Sequence, residues 1–148
     1  MKKAIAILLI IVAAFLGTLL YFHAHDTRTA DSLSAYARIE FTGLRDSDGS
    51  ATSAHFTVWD TRYDGAKADS KVTLVTDSKE WPLIASVKQK DAGSFQKENE
   101  ISVFLPAATL DDIKKASTVR FRYSYKDGQT IDLPLNDADL AYWKGQVE

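Results

Sequence analysis

The stretch RDSDGSATS, residues 45–53, sets Asp46, Asp48 and Ser50 at alternate positions, with Gly49 between the last two. Alternating oxygen ligands around a glycine begin a calcium loop, because calcium gathers roughly six to eight oxygens and such a loop must turn sharply. The closing ligand is lacking. The twelfth position counted from Asp46, where a bidentate glutamate would close the loop, holds Thr57. The plainer reading is a turn, since Asp, Ser and Gly are turn formers in their own right. Asp60, Asp64 and Asp69 in DTRYDGAKAD could add carboxylates only if the two loops met. The strand between the loops carries them to opposite ends, so no metal or other cofactor is expected.

Histidine is the next candidate, because its ordinary pKa lies near neutrality and suits a general base. His55 is expected to lie within the folded domain, while His23 and His25 sit two apart in a polar stretch. GxSxG and HExxH are absent, and there is no cysteine nucleophile. A hydrolase would therefore need a dispersed site around His55, recognisable only by its geometry. The paired acids Asp111 with Asp112, and Asp137 with Asp139, could serve sugar hydrolysis if they faced each other across a substrate. They sit instead where short helices should begin, and negative charge there offsets the helix dipole.

In SAHFTVWD, residues 53–60, Ala54, Phe56 and Val58 point one way and His55, Thr57 and Trp59 the other. A tryptophan turned away from the core suits a protein contact or stacking on a sugar ring, and Tyr63 could extend the patch. His55, Trp59 and Tyr63 are the partner-binding candidates. The plainer reading packs Trp59 under a neighbouring segment.

The stretch RFRYSYKDGQTIDLPL, residues 120–135, interleaves arginines with aromatics, as an RNA-binding strand might. Turn geometry decides its faces. A two-residue turn at Asp127-Gly128 would pair arginines with apolar residues. A three-residue turn, Lys126-Asp127-Gly128 with Gly128 left-handed, pairs Tyr123 with Ile131, Phe121 with Leu133 and Arg122 with Asp132. Every pair then matches, and a one-residue slip would invert them all. The aromatics face the core, whereas an RNA-recognition strand needs them on the open face.

The elements that position these residues are strands. Period-two alternation recurs in YARIEFTG, SAHFTVWD, KVTLVT, WPLIASV, EISVFL, TVRFRYSY and TIDLPL. Two helical turns interrupt them, one capped by Thr109 with Asp112 reaching back, the other by Asn136 with a Leu135–Leu140 staple. The expected fold is all-β: an antiparallel β-sandwich of immunoglobulin-like type with about seven strands, a small β-barrel being the alternative.

Residues 4–22, AIAILLIIVAAFLGTLLYF, carry no charge and follow Lys2 and Lys3. Such a run reads as an uncleaved transmembrane anchor. A cleaved signal peptide fits less well, because cutting after Ala24 leaves bulky Phe22 near the cut and cutting after Ala14 leaves an apolar N-terminus. The expected organisation is an anchor over 1–22, a polar linker over 23–34 and an extracytoplasmic domain over 35–148. The two lysines put the N-terminus inside a cytoplasmic membrane and the domain outside it. Without cysteine there is no disulfide framework.

The net charge is −2, and setting aside Lys2 and Lys3 leaves 16 basic residues against 20 acidic ones. Nucleic-acid binders carry the opposite sign, so no nucleic-acid partner is expected. These observations lead to a non-catalytic module, held by the bilayer through residues 4–22 and contacting an envelope protein. Two alternatives stand beside it: a secreted domain binding calcium through Asp46, Asp48 and Ser50 or carbohydrate at Trp59, and a hydrolase with a dispersed site.

Overall fold

Each alternating stretch forms a strand, because its apolar parity has one core to face. A computed structural model describes residues 1–26 and 30–148, with side chains described for 1–18 and 30–148. The strands are β1 (Arg38–Arg45), β2 (Ala51–Arg62), β3 (Ala68–Thr76), β4 (Lys79–Gly93), β5 (Gln96–Pro106), β6 (Val119–Tyr125) and β7 (Thr130–Pro134). The helices are α1 (Lys2–Asp26), α2 (Leu33–Tyr36), α3 (Ala107–Lys115) and α4 (Asp137–Val147). The inward residues Ala54, Phe56 and Val58, then Ile101, Val103 and Leu105, then Phe121, Tyr123 and Tyr125, are all buried.

The strands build one antiparallel sheet in the order β1-β2-β5-β4-β3-β6-β7, curled into a half-barrel. β3, β4 and β5 follow one another as hairpins, and β2 lies beside β5, which is Greek-key order. The expected two-sheet sandwich is thus corrected, although seven antiparallel strands are present. The reason is the 15-residue β4. Its Lys79–Ile84 half pairs with β3 and its half from Ala85 to Gly93 pairs with β5, so one strand holds both halves of the sheet together.

Helices close the concave side. Leu110 and Ile113 of α3 and Leu140, Trp143 and Val147 of α4 are buried against it. The Trp143 ring stacks on Phe41 at 4.2 Å and lies 5.0 Å from Phe56, which meets Phe121 edge-on at 4.9 Å. Such aromatic pairs contribute about 0.5–1.5 kcal/mol each beyond the area they bury. α4 also covers the β1 edge, where it comes so close that a Cβ on Gly43 would stand 2.0 Å from the Gln146 carbonyl oxygen.

The hairpin of β6 and β7 has the expected register. Tyr123 pairs with Ile131, Phe121 with Leu133 and Arg122 with Asp132, while Gly128 turns at φ 96°. The Asn136 cap is also present, its side chain accepting from the Asp139 amide at 2.8 Å. Thr109 does not cap α3. That helix starts at Ala107 with Pro106 as its cap, and Thr109 lies buried inside it. Asp112, three residues beyond Thr109, therefore lies past the first turn and takes hydrogen bonds from Trp81 Nε1 and Lys79 Nζ, both at 2.9 Å.

Two expectations about the N-terminal part are corrected. Ser32, Leu33 and Tyr36 are buried against the domain, so the segment read as a linker over 23–34 joins the fold by Ser32 at the latest. Residues 27–29 of that linker lie outside the described residues, as do the side chains of His23 and His25. The anchor is corrected as well, because among the described residues no helix is long and apolar enough to cross a membrane. The placement in a cytoplasmic membrane, N-terminus inside and domain outside, rested on that span and is corrected with it.

Candidate functional site

Register places the outward residues of the sheet in rows. Thr42, His55 and Phe104 form one row across β1, β2 and β5. Arg38, Trp59, Glu100 and Lys88 form another across β1, β2, β5 and β4. Trp59 is half-buried, and the Arg38 guanidinium lies 3.7 Å over its ring. One face of the indole is therefore covered, which removes that face from sugar stacking. Trp59 lines an open cleft of about 490 Å³ together with Ser34, Tyr36, Arg38, Thr61 and Glu98.

His55 and Tyr63 do not line that cleft. Each is four residues from Trp59, about 13 Å along an extended strand. The three candidates share one face of β2 and its continuation without forming one pocket. His55 is exposed between Thr42 and Phe104.

Beside His55 the face turns apolar. The β4–β5 ladder ends at the pair Ala85–Val103, and the next outward residues beyond it are Ile84 on β4 and Phe104 on β5. Ile84 is 72% exposed and Phe104 56%. Next to Ile84 a groove of about 510 Å³ runs between β3 and β4, lined by Lys71, Val72, Thr73, Pro82 and Leu83. The alternation in WPLIASV and EISVFL already turns Ile84 and Phe104 outward. What it does not show is that both lie at the end of the β4–β5 ladder, because that depends on the register between the two strands.

The other polar concentration lies inside. Asp60 is fully buried, and its carboxylate accepts hydrogen bonds from the Tyr123 hydroxyl at 3.0 Å and from the Tyr125 hydroxyl. Burial, and then the negative charge of Asp60, push both phenols well above the ordinary tyrosine range. Both therefore remain protonated donors near neutral pH. Arg62, also buried, reaches Asp64 at 2.6 Å, Asp127 at 3.0 Å and Gln129, with its guanidinium 4.1 Å over the Tyr125 ring. Buried Asn99 holds the crossing segment by accepting from the Ala68 amide and donating to the Ala66 carbonyl, each at 3.0 Å. This network ties the end of β2 to the turns at 63–67 and 126–128. Its signal in the sequence is parity: Asp60 and Arg62 continue the inward series Ala54, Phe56, Val58.

Asp46, Asp48 and Ser50 form a tight turn. The Ser50 amide donates to Asp48 Oδ1 at 2.8 Å and the Gly49 amide to the Asp46 carbonyl at 3.0 Å. The Ser50 backbone and side-chain hydrogen bonds hold the Asp48 carboxyl below its usual range. Asp64 is engaged by Arg62, and Asp69 accepts from the Lys71 amide at 3.1 Å. Among the described residues, no group of three or more His, Asp or Glu side chains is placed to hold a metal ion.

Fold and surface together define a curled, seven-stranded antiparallel β-domain with an apolar patch on its outer face. Comparison of the chain with protein-family models, with curated proteins and with solved structures gives no match.

Proposed function

We propose that the chain is a non-catalytic module that makes protein–protein contacts through the outer face of β4 and β5. The observation that supports this reading is that Ile84 and Phe104, the next outward residues beyond the end of the β4–β5 ladder, are both more than half exposed. Single exposed apolar residues are ordinary, but contiguous ones beside an apolar groove mark interaction surfaces. Interface centres favour aromatic and aliphatic anchors with few charges around them. Here Lys71 is the one charged residue lining the groove, and its apolar lining is Val72, Pro82, Leu83 and Ile84. The described apolar side chains of α1, Ile5, Leu8, Leu9 and Phe15 among them, are exposed too. A helix that is apolar on all sides calls for an apolar partner, so α1 is a second surface for the same kind of contact.

The test is affinity purification of the tagged full chain after crosslinking in cells that produce it. The double variant Ile84→Asp with Phe104→Asp serves as control, its folding checked by circular dichroism. A stoichiometric protein lost only in the double variant supports the reading. A chain that purifies alone, or the same proteins recovered with both chains, overturns it.

A further inference from the structure

A curled open sheet ends in two edge strands, here β1 and β7. An edge carries backbone groups that another strand can pair with, and folds blunt or cover most of it. β7 is five residues long and ends at Pro134, which blunts it. β1 is eight residues long, and α4 covers only part of it.

The covered part shows which backbone groups turn outward. In an antiparallel ladder alternate residues direct both backbone groups to the partner strand, and the residues between them direct both away. The Gly43 amide donates to Gln146 Oε1 at 3.3 Å, and the Phe41 carbonyl accepts from the Tyr142 hydroxyl at 3.4 Å. The odd-numbered residues of β1 therefore point away from β2. The register runs without a shift from Arg38 to Leu44, so the same holds for Ile39. The Ile39 amide, the Ile39 carbonyl and the Phe41 amide thus face off the sheet, and among the described residues nothing bonds to them. Beside them lies a cleft of about 370 Å³, lined by residues 39–42 of β1 and by Asp139, Tyr142 and Trp143 of α4.

The cleft is acidic. Glu40 and Asp139 line it, and no lysine or arginine does. Glu40 is exposed, with a contact to Arg38 at 3.3 Å. Asp139 accepts from the Ser34 hydroxyl, a neutral donor that leaves its charge uncompensated.

We propose that the open edge of β1 receives an extended segment of a partner protein, added as one more strand, and that this segment carries two adjacent basic residues. The backbone of Ile39 and Phe41 supplies the pairing. Successive residues of a strand point to opposite faces, so one basic residue meets Glu40 on the outer face of β1 and the next meets Asp139 on the α4 side. Main-chain bonds give such a contact its strength, and the two acids give it a choice of sequence. The Tyr142 bond is long and the residue 56% exposed, so its release adds the Phe41 carbonyl as a fourth group. The site is separate from the proposed contact at Ile84 and Phe104, which lies on β4 and β5.

The test titrates a capped octapeptide, Thr-Val-Thr-Arg-Lys-Val-Thr-Val, into the isotope-labelled full chain and reads its amide resonances. The expected result is saturable shifts centred on Ile39 and Phe41, with slowed exchange of both amides. The same peptide with Glu-Glu at its centre should bind at least about tenfold more weakly. Ile39→Pro removes the outward amide at an edge position that tolerates proline, and should abolish binding while circular dichroism stays unchanged. If that variant does not fold, Glu40→Lys with Asp139→Asn decides, with a loss of at least about tenfold expected. The proposal is overturned by shifts absent at millimolar peptide or centred on Ile84 and Phe104 instead. Equal binding of the two peptides, or a folded variant that binds as the parent does, overturns it as well.

Discussion

Arg122 stands directly across the β6–β7 hairpin from Asp132, with Nε 3.2 Å from Oδ2, while Arg120 Nε reaches the other carboxylate oxygen at 3.0 Å. One carboxylate thus holds two guanidinium groups on the outer face of a hairpin whose inner face is Phe121, Tyr123 and Ile131. Arg122 also reaches Glu80 at 3.1 Å, and these two acids hold its pKa above the ordinary value. Replacing Asp132 by Ala breaks both arginine contacts. The groups are partly exposed and screened, so the expected loss is about 0.5–1.5 kcal/mol in urea denaturation. A loss above about 3 kcal/mol would show that the pair acts as a buried bridge instead.

Asp60→Ala should be far more damaging. It leaves two buried phenols without their acceptor and opens a void among aromatic rings. About 2–4 kcal/mol of stability should go, read from the shift in the denaturation midpoint at constant slope. Tyr123→Phe removes one donor only and should cost about 0.5–1.5 kcal/mol. If both substitutions prove equally mild, the cluster does not hold β2 to β6.

These two cases also show what could be read in the chain. The hairpin was legible in full, because its pairs, its turn length and Gly128 all depend on residues close in sequence. The inner parity of β2, β5 and β6 was legible for the same reason. The long outer half of β4 was not: in KQKDAG the one half-buried inward position is the polar Gln89, which donates to the Gly65 and Ala66 carbonyls, so the apolar alternation that reveals a strand is lost. That half is what joins the sheet, and its absence from the reading turned one curled sheet into a sandwich. The start of the domain was hidden too. Leu33 is the one large apolar residue in a polar stretch, and its burial comes from packing in the core, not from its neighbours in sequence. Trp59 was legible as outward-facing, but its cover is Arg38, set by pairing with a distant strand.

The two buried tyrosines should set the alkaline limit of stability. In the folded chain both phenols ionise well above the ordinary value of about 10, the value they recover on unfolding. Below that value both states keep the proton and stability is flat. Above it the unfolded chain loses protons that the folded chain retains, so stability falls as pH rises, by at most about 1.4 kcal/mol per pH unit for each tyrosine. Melting temperatures between pH 8 and 11.5 should bend downward above pH 10. Tyr125→Phe should shallow that descent, although it lowers stability at neutral pH. An unchanged slope in this variant would remove Tyr125 from the account.

Gly43→Ala tests the seat of α4. The added methyl would stand 2.0 Å from the backbone oxygen of Gln146, and a backbone atom cannot step aside as a side-chain tip can. α4 must shift, loosening the stack of Trp143 on Phe41. The expected cost is about 1–3 kcal/mol, with a red shift of Trp143 emission that places the loss at the helix. To keep the signal readable, the comparison is made in a Trp59→Phe, Trp81→Phe background.

Leu33 carries the last prediction, because it decides where the domain begins. Its side chain is fully buried, three residues from the other buried anchor, Tyr36. Leu33→Ala should cost about 2–4 kcal/mol through lost burial and an unfilled cavity. The fragment 35–148 should lose at least as much relative to 30–148, since it also lacks the Ser34 bridge to Asp139 and Asn136. Ser34→Ala alone should cost about 0.5–1.5 kcal/mol, because the side chain is exposed and water can replace part of what it gives. The ordering separates two pictures of residues 30–37. A tether would let all three changes pass unnoticed in thermal denaturation. A part of the core makes the fragment beginning at 35 the least stable, Leu33→Ala next and Ser34→Ala the mildest.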